Sequence, residues 1–317
     1  MTSNINYKLL SQEIIKNIRR KYSQQYLNQK LGYASNQMYR WESGGAHITW
    51  SEFFSLCNIA KIKLEDIFKS YFRYDLRDDD IVKFLKYLIG KESVSLISDK
   101  TGISISKIRR IFNSKSSLRL YDFFKIIFSY DKMESIGLVS ELSGEFELKT
   151  LKDEIEFMDV IKKEYFRNPS FGLFLISLEL NKYKDLKNHS DKVLSKLSGL
   201  SEKEIRIFSK KAIRSGFIKY QNNKLEIKPF HINDRGTKDE MISVRKYWSQ
   251  KAQSAMDKKI DSNAFGSLVF STSKKAQEKI ISEYLRFFEQ VKLIVNEDQS
   301  SKELPLVMNF HLFSTNN

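Results

Sequence analysis

Apolar residues along the first 133 positions recur at the i, i+3, i+4 spacing of helices that bury one face, and the pattern is written twice. Slid by 70 residues, YLNQKLGYASNQMYRWESGGAHITWSEFFSLCN at 26–58 lies without gaps over LISDKTGISISKIRRIFNSKSSLRLYDFFKIIF at 96–128. Leu27 falls on Ile97, Met38 on Ile108, Trp41 on Ile111, Ile48 on Leu118, and Phe53 with Phe54 on Phe123 with Phe124. Upstream, Ile14, Ile15 and Ile18 match Phe84, Leu85 and Leu88, the apolar face of a leading helix. Each repeat is therefore expected to be a bundle of four or five short helices. Gly32 and Gly102 hold the same place just after a helix, where a left-handed residue turns the chain sharply into the next one. That arrangement is a helix-turn-helix. Its second and third helices are predicted over 24–31 and 35–41 in the first repeat and over 95–101 and 105–112 in the second, with Ser104 a better N-cap than Ala34.

Beyond Met133 the stripe fades. LVSELSGEFELKTLKDE reads as a polar connector, and helical spacing returns from 154 to 183 with a break at Asn168-Pro169. Residues 190–228 read as helix, turn, helix and hairpin. Ser201 and Glu204 form a capping box, Gly216 ends the helix, and Asn222-Asn223 turns between FIKY and KLEI. This is the order of a winged helix. After Asp234 come a long helix (238–257), a strand (267–273), a helix (274–295) and a strand (304–314). Two strands around one helix leave open edges, which the wing or a second subunit would have to cover. The expected class is mainly α (α+β), with five segments: helix-turn-helix repeats at 1–73 and 74–133, a connector at 134–153, a winged-helix-like domain at 154–233, and a small helix-strand-helix-strand domain at 234–317 for dimerisation or regulation.

Composition turns this architecture toward a partner. The 317 residues carry 54 Lys and Arg against 39 Asp and Glu, a net charge of +15 that attracts polyanions, with nucleic acid first among them. The longest apolar runs, such as 171–180, are about ten residues and fall short of a membrane span. The opening MTSNINYKLL lacks the basic-then-apolar pattern of a signal peptide, and the single Cys57 cannot form an internal disulfide. A cytoplasmic protein is expected.

The stretch IRRKYSQQYLNQKLGYASNQMYRWESG at 18–44 has a basic end to helix one, Ser-Gln opening helix two, Leu-Gly at the turn and Trp-Glu-x-Gly closing helix three. It resembles the Cro and phage-repressor type of helix-turn-helix, the XRE family. The second repeat keeps the apolar skeleton but has Ile-Phe-Asn-Ser at 111–114. Residues 155–317, through SVRKYWSQKAQSAMDK at 243–258, SLVFSTSKKAQEKI at 267–280 and NFHLF at 309–313, resemble the C-terminal domain of regulators known from Bdellovibrio-like predatory bacteria. Both resemblances imply a transcription regulator on double-stranded DNA, with a homodimer expected and no cofactor or membrane. The effector and the sign of regulation stay open.

In the family the third helix enters the major groove while the second crosses the phosphates. With Met38 and Trp41 assigned to the core, Ser35, Asn36, Tyr39 and Arg40 project outward; an arginine can bind guanine bidentately and an asparagine can read adenine. Gln24 opens helix two, where the resemblance implies a phosphate contact. In the second repeat Ser106, Arg109 and Arg110 project outward, flanked by Lys107 and Lys115. Residues 105–119 hold five basic residues and no acidic one, a balance suited to phosphate neutralisation. Residues 187–228 carry eleven Lys and Arg against four Asp and Glu, with Lys203, Arg206, Lys210 and Arg214 at near-helical spacing as a further basic face. The two units would read either a pseudo-palindrome with half-sites one turn apart or a direct repeat.

No enzymatic constellation stands out. His47, His189, His231 and His311 show no paired-ligand spacing, and no Gly-rich phosphate loop is present. Asp78, Asp79 and Asp80 read as the acidic start of a helix. Cys57 aligns with Ile127 and so points to a core, and the aromatic residues sit largely at core spacing. An adaptor that uses these bundles to hold an acidic protein is the alternative.

Overall fold

The computed structural model describes residues 5–34, 36–76, 80–216, 218–227, 237–258, 260, 263–298 and 300–314. Among them the chain is mainly helical, with one two-stranded antiparallel sheet. No described helix is long and apolar enough to cross a membrane. The chain divides into two compact units, residues 1–155 with 275–298, and 156–274 with 299–317.

In the first unit each repeat forms five helices. They are α1 (Tyr7–Arg19), α2 (Gln24–Lys30), α3 (Gln37–Ser43), α4 (Trp50–Ile59) and α5 (Leu64–Phe72), then α6 (Ile81–Ile89), α7 (Val94–Thr101), α8 (Ile105–Phe112), α9 (Leu120–Tyr130) and α10 (Lys132–Ser143). Local chemistry sets the starts. Asn6, Ser23, Asp80 and Ser93 each accept a backbone N–H of the first turn, and Thr49 with Glu52 makes a reciprocal capping box. Gly32 (φ 79°) and Gly102 (φ 65°) make the left-handed turn before the third helix in both repeats. Ser104 does flank α8 but accepts no capping bond, and the cap position of α3 falls on Asn36 rather than Ala34.

The first half of the segment expected as a polar connector is helix α10, which buries Met133, Ile136, Leu138, Val139 and Leu142, and a 3-10 turn follows at Lys149–Leu151. It stands where the offset of 70 puts the counterpart of α5. Its stripe was masked because Glu134, Ser135 and Ser143 are buried beside the apolar residues. An aromatic cluster joins the repeats: Trp50 lies 4.5 Å from Phe123 and 5.7 Å from Phe68, and Phe84 lies 4.9 Å from Phe68 and 5.1 Å from Phe72. Such ring pairs contribute about 0.5–1.5 kcal/mol each beyond their burial.

In the second unit α11 (Lys152–Arg167, shared at its start with the first) ends before Pro169, and α12 (Ser170–Glu179) and α13 (Asn181–Lys184) follow. Then come α14 (Asp191–Ser198), α15 (Glu202–Arg214) and the hairpin β1 (Ile218–Gln221) and β2 (Lys224–Ile227), paired Gln221 with Lys224 and Ile218 with Ile227. Asn222 and Asn223 both take positive φ in the two-residue turn, and the Ser201–Glu204 capping box starts α15. The core is Phe171, Phe174, Leu194, Ile205, Phe208, Ile218 and Leu225. The Tyr183 hydroxyl accepts the Leu225 N–H at 2.9 Å and is hydrogen-bonded to His189 Nδ1 at 2.9 Å, whose Nε2 lies 2.8 Å from Asp191, a chain that ties the hairpin to the helices.

Helix α16 (Lys238–Met256) packs through Val244 on Tyr165 and Phe166, and Trp248 Nε1 donates to the Tyr165 hydroxyl at 2.9 Å. Helix α17 (Lys274–Glu297) belongs mostly to the first unit, with Arg73 4.6 Å from the centre of the Phe288 ring, so the residues of 234–317 are divided between the two units. The strands expected at 267–273 and 304–314 do not form a ladder: both segments carry no regular structure, and Val269 is 94% exposed. An isolated strand gains nothing from its backbone until another strand pairs with it, and within the described residues the wing pairs only with itself.

Candidate nucleic-acid interface

Helix α3 turns Met38, Trp41 and Glu42 inward and leaves Asn36, Tyr39 and Arg40 exposed, Tyr39 at 58%. Asn28 of α2 performs the capping that Asn36 does not: its Oδ1 accepts the Met38 N–H at 2.9 Å, and the Asn36 side chain makes no capping bond. Ser35 lies outside the described residues. Gln24 departs from its expected role. Its Nε2 donates to Glu42 Oε2 at 2.7 Å, and Arg19 Nε donates to Glu42 Oε1, so one buried carboxylate binds α1, α2 and α3 together. The side chain expected to contact a phosphate is thus half-buried and holds α3 in place; the signal was the Glu of the Trp-Glu-x-Gly ending, which lies among the buried residues.

Helix α8 buries Ile108 and Ile111 and exposes Ser106, Arg109 and Arg110, with Lys115 exposed just beyond its end. Ser106 Oγ lies 3.4 Å from Ser104 Oγ. Lys107 differs from its neighbours. Its ammonium pairs with the buried Asp122 at 2.5 Å and sits over the Tyr121 ring. Burial pulls its pKa down, but the bond to Asp122 and its charge prevail and the value rises. The charge is already matched inside the protein, which removes Lys107 from the free cations. Asp122 lies in α9, and helical projection of α8 alone gave no sign of it.

Between the two helices runs a junction that both repeats build together. Thr49 and Arg119 form an antiparallel bridge, with Trp50 N–H donating to Leu118 O at 2.8 Å and Leu120 N–H to Ile48 O at 3.1 Å. Arg119 Nη1 donates to the His47 carbonyl at 2.6 Å. Burial, and then the charges of Lys8, Arg119 and Lys107, hold the His47 imidazole below its ordinary pKa against an opposing pull from Asp122. Lys8 and Arg119 make the junction electropositive, while Lys107 beside it is paired with Asp122.

In the second unit Lys203, Lys210 and Arg214 are exposed on α15, while Arg206 is engaged by Asp191 at 3.0 Å and Glu202 at 3.3 Å. Elsewhere Asp80 caps α6 at Lys83 N, and Asp78 and Asp79 lie outside the described residues, as does His231. Cys57 is fully buried, and burial, then Glu65, pushes its thiol well above the ordinary range, the state of an unreactive cysteine. Among the described residues no three His, Cys, Asp or Glu side chains stand together as a metal site. No protein-family model, curated protein or solved structure matches the chain.

Proposed function

We propose that the protein is a sequence-specific regulator of transcription that binds double-stranded DNA in the cytoplasm, with α3 as the helix that reads bases. The observation that carries this reading is the division of α3: its inner face is fixed by Trp41, Met38 and the Arg19–Glu42–Gln24 network, and its outer face presents Asn36, Tyr39 and Arg40 to solvent. A rigid helix with an amide, a phenol and a guanidinium on one exposed edge is chemically matched to base edges in a major groove. Arg109, Arg110 and Lys115 add positive charge on α8 suited to phosphates.

Pairing of two chains belongs to the same reading. Leu268, Val269, Leu306 and Phe313 are exposed in segments whose sequence favours strands, and strands from a second copy would cover them. Sedimentation of the free protein reports it: a dimer is expected, and a monomer at all concentrations contradicts it.

Selection from a random duplex library at near-physiological salt tests the function. Wild-type protein is expected to enrich a defined motif, and Arg40→Ala to relax one base of it with a loss of about 1–3 kcal/mol. Absence of any motif, with weak binding that salt abolishes, contradicts the reading.

A further inference from the structure

The bridge between the repeats joins residues that are equivalent. Thr49 plus the repeat offset of 70 is Arg119, and the two hydrogen bonds, Trp50 N–H to Leu118 O and Leu120 N–H to Ile48 O, exchange with each other when the repeats are exchanged. An antiparallel pair of this kind has a local two-fold axis between its central residues. Helices extend the relation. α4 packs on its own counterpart α9, through Trp50 and Phe123, and α5 packs on its counterpart α10, where a Cβ on Gly137 would stand 2.2 Å from the Tyr71 ring. Counterparts that touch each other mark an axis. Each leading helix also reaches the other repeat, though not by equivalent contacts: α1 packs on α9 and α10, with Asn17 donating to Ser143 at 3.2 Å, whereas α6 packs on α9 of its own repeat and meets α5 through Phe84 with Phe68 and Phe72.

We infer that the two repeats form a pseudo-dimer within one chain, so that α3 and α8 of the same molecule read two unlike half-sites in inverted orientation. This rests on the DNA-binding reading above and decides between the inverted and direct arrangements that the sequence left open. The chain path allows it. The arms are short and alike: Ala46 N–H donates to Arg40 O at 3.0 Å and Lys115 N–H to Arg110 O at 2.8 Å, after which each arm runs directly to the bridge, and half-sites about 34 Å apart, one turn of duplex, are the spacing that the second experiment below reads. The half-sites differ because the helices do: Asn36 and Arg40 occupy the places of Ser106 and Arg110, and Tyr39 that of Arg109. The basic junction of Lys8, Arg119 and His47 lies at the axis, between the two half-sites.

Two experiments on the full chain test this. In the first, Thr49→Cys and Arg119→Cys are combined; Cys57 is fully buried and stays out of the reaction. Directly opposed residues in the closely spaced kind of antiparallel pair are within disulfide reach, so mild oxidation is expected to close a bridge inside one chain. No bridge, or one that only doubles the mass, overturns the axis whatever the protein binds. In the second, an iron-EDTA group is tethered to Ser43→Cys or Asn113→Cys, equivalent exposed positions at the C-terminal ends of α3 and α8, and bound to the duplex selected by the wild type. The cleavage from position 113 is expected to be that from position 43 with the strands exchanged, about one turn away. The same strand order in both overturns the inverted arrangement, and so does cleavage from position 43 alone or from position 43 in both half-sites alike. Cleavage from neither position on any duplex, with the disulfide formed, fails the DNA reading and the half-site assignment with it, and leaves the axis standing.

Discussion

The two repeats carry opposite chemistry at the places that hold α3 in the first. In the first, Arg19, Gln24 and Glu42 link three helices through a buried carboxylate; in the second, the equivalent positions are Ile89, Val94 and Phe112. A buried ion pair is costly to desolvate and is often replaced by apolar residues without loss, and the second repeat carries apolar residues at all three places. The skeleton survives the exchange, since the turn glycine and the buried pair at the middle of the third helix persist as Met38 with Trp41 and Ile108 with Ile111. What changes is the outer face, where α3 offers a mixed polar edge and α8 a cationic one. Helix geometry and surface chemistry are therefore separable in this fold.

The largest effect comes from breaking the network from one side. Glu42→Ala strands Arg19 and Gln24 and is expected to cost about 2 kcal/mol, reduced from the fully buried case because Arg19 keeps some solvent. Importing the set of the second repeat, Arg19→Ile with Gln24→Val and Glu42→Phe, should recover most of that loss in urea denaturation. A single variant that unfolds at the wild-type midpoint would mean the carboxylate holds nothing.

Next comes the contrast between cations in α8. Lys107→Ala leaves Asp122 buried without its partner and should lower stability by about 1–2 kcal/mol. Arg110→Ala should leave the denaturation midpoint unchanged and instead weaken DNA binding, most at the half-site that α8 meets. If the two variants behave alike, the distinction between paired and free charge is wrong.

The smallest effect is a pH dependence at the junction. His47 has its pKa lowered on folding, so below about 6.5 the unfolded chain takes up the proton first and stability drains as pH falls; above that range the contribution is complete. His47→Asn should flatten this limb of the denaturation midpoint between pH 7.5 and 5.5, and an unchanged limb would assign it to other groups.

Much of the helical plan was written in the sequence, because apolar residues at helical spacing state which face is buried without reference to distant partners. Met38, Trp41, Ile108 and Ile111 were assigned inward on that basis and are buried, and the Asn222-Asn223 hairpin followed from turn chemistry. Legibility ended where a side chain's fate depends on another element. Gln24 and Lys107 look like surface contacts until Glu42 and Asp122 are placed beside them. The α10 segment looked polar because it buries Glu134 and Ser135, although the offset from α5 pointed to a helix there. At 267–273 and 304–314 the local pattern favours strands, but a ladder needs a partner that the described residues do not supply.

The central claim is discrimination between DNA sequences, and its most direct measurement is equilibrium binding of the full chain to the selected duplex and to a scrambled duplex of the same composition, at near-physiological salt. The account predicts at least about a thousandfold preference for the selected duplex. Equal affinity for both, vanishing together as salt rises, would contradict it and favour a protein that uses its charge to hold an acidic partner.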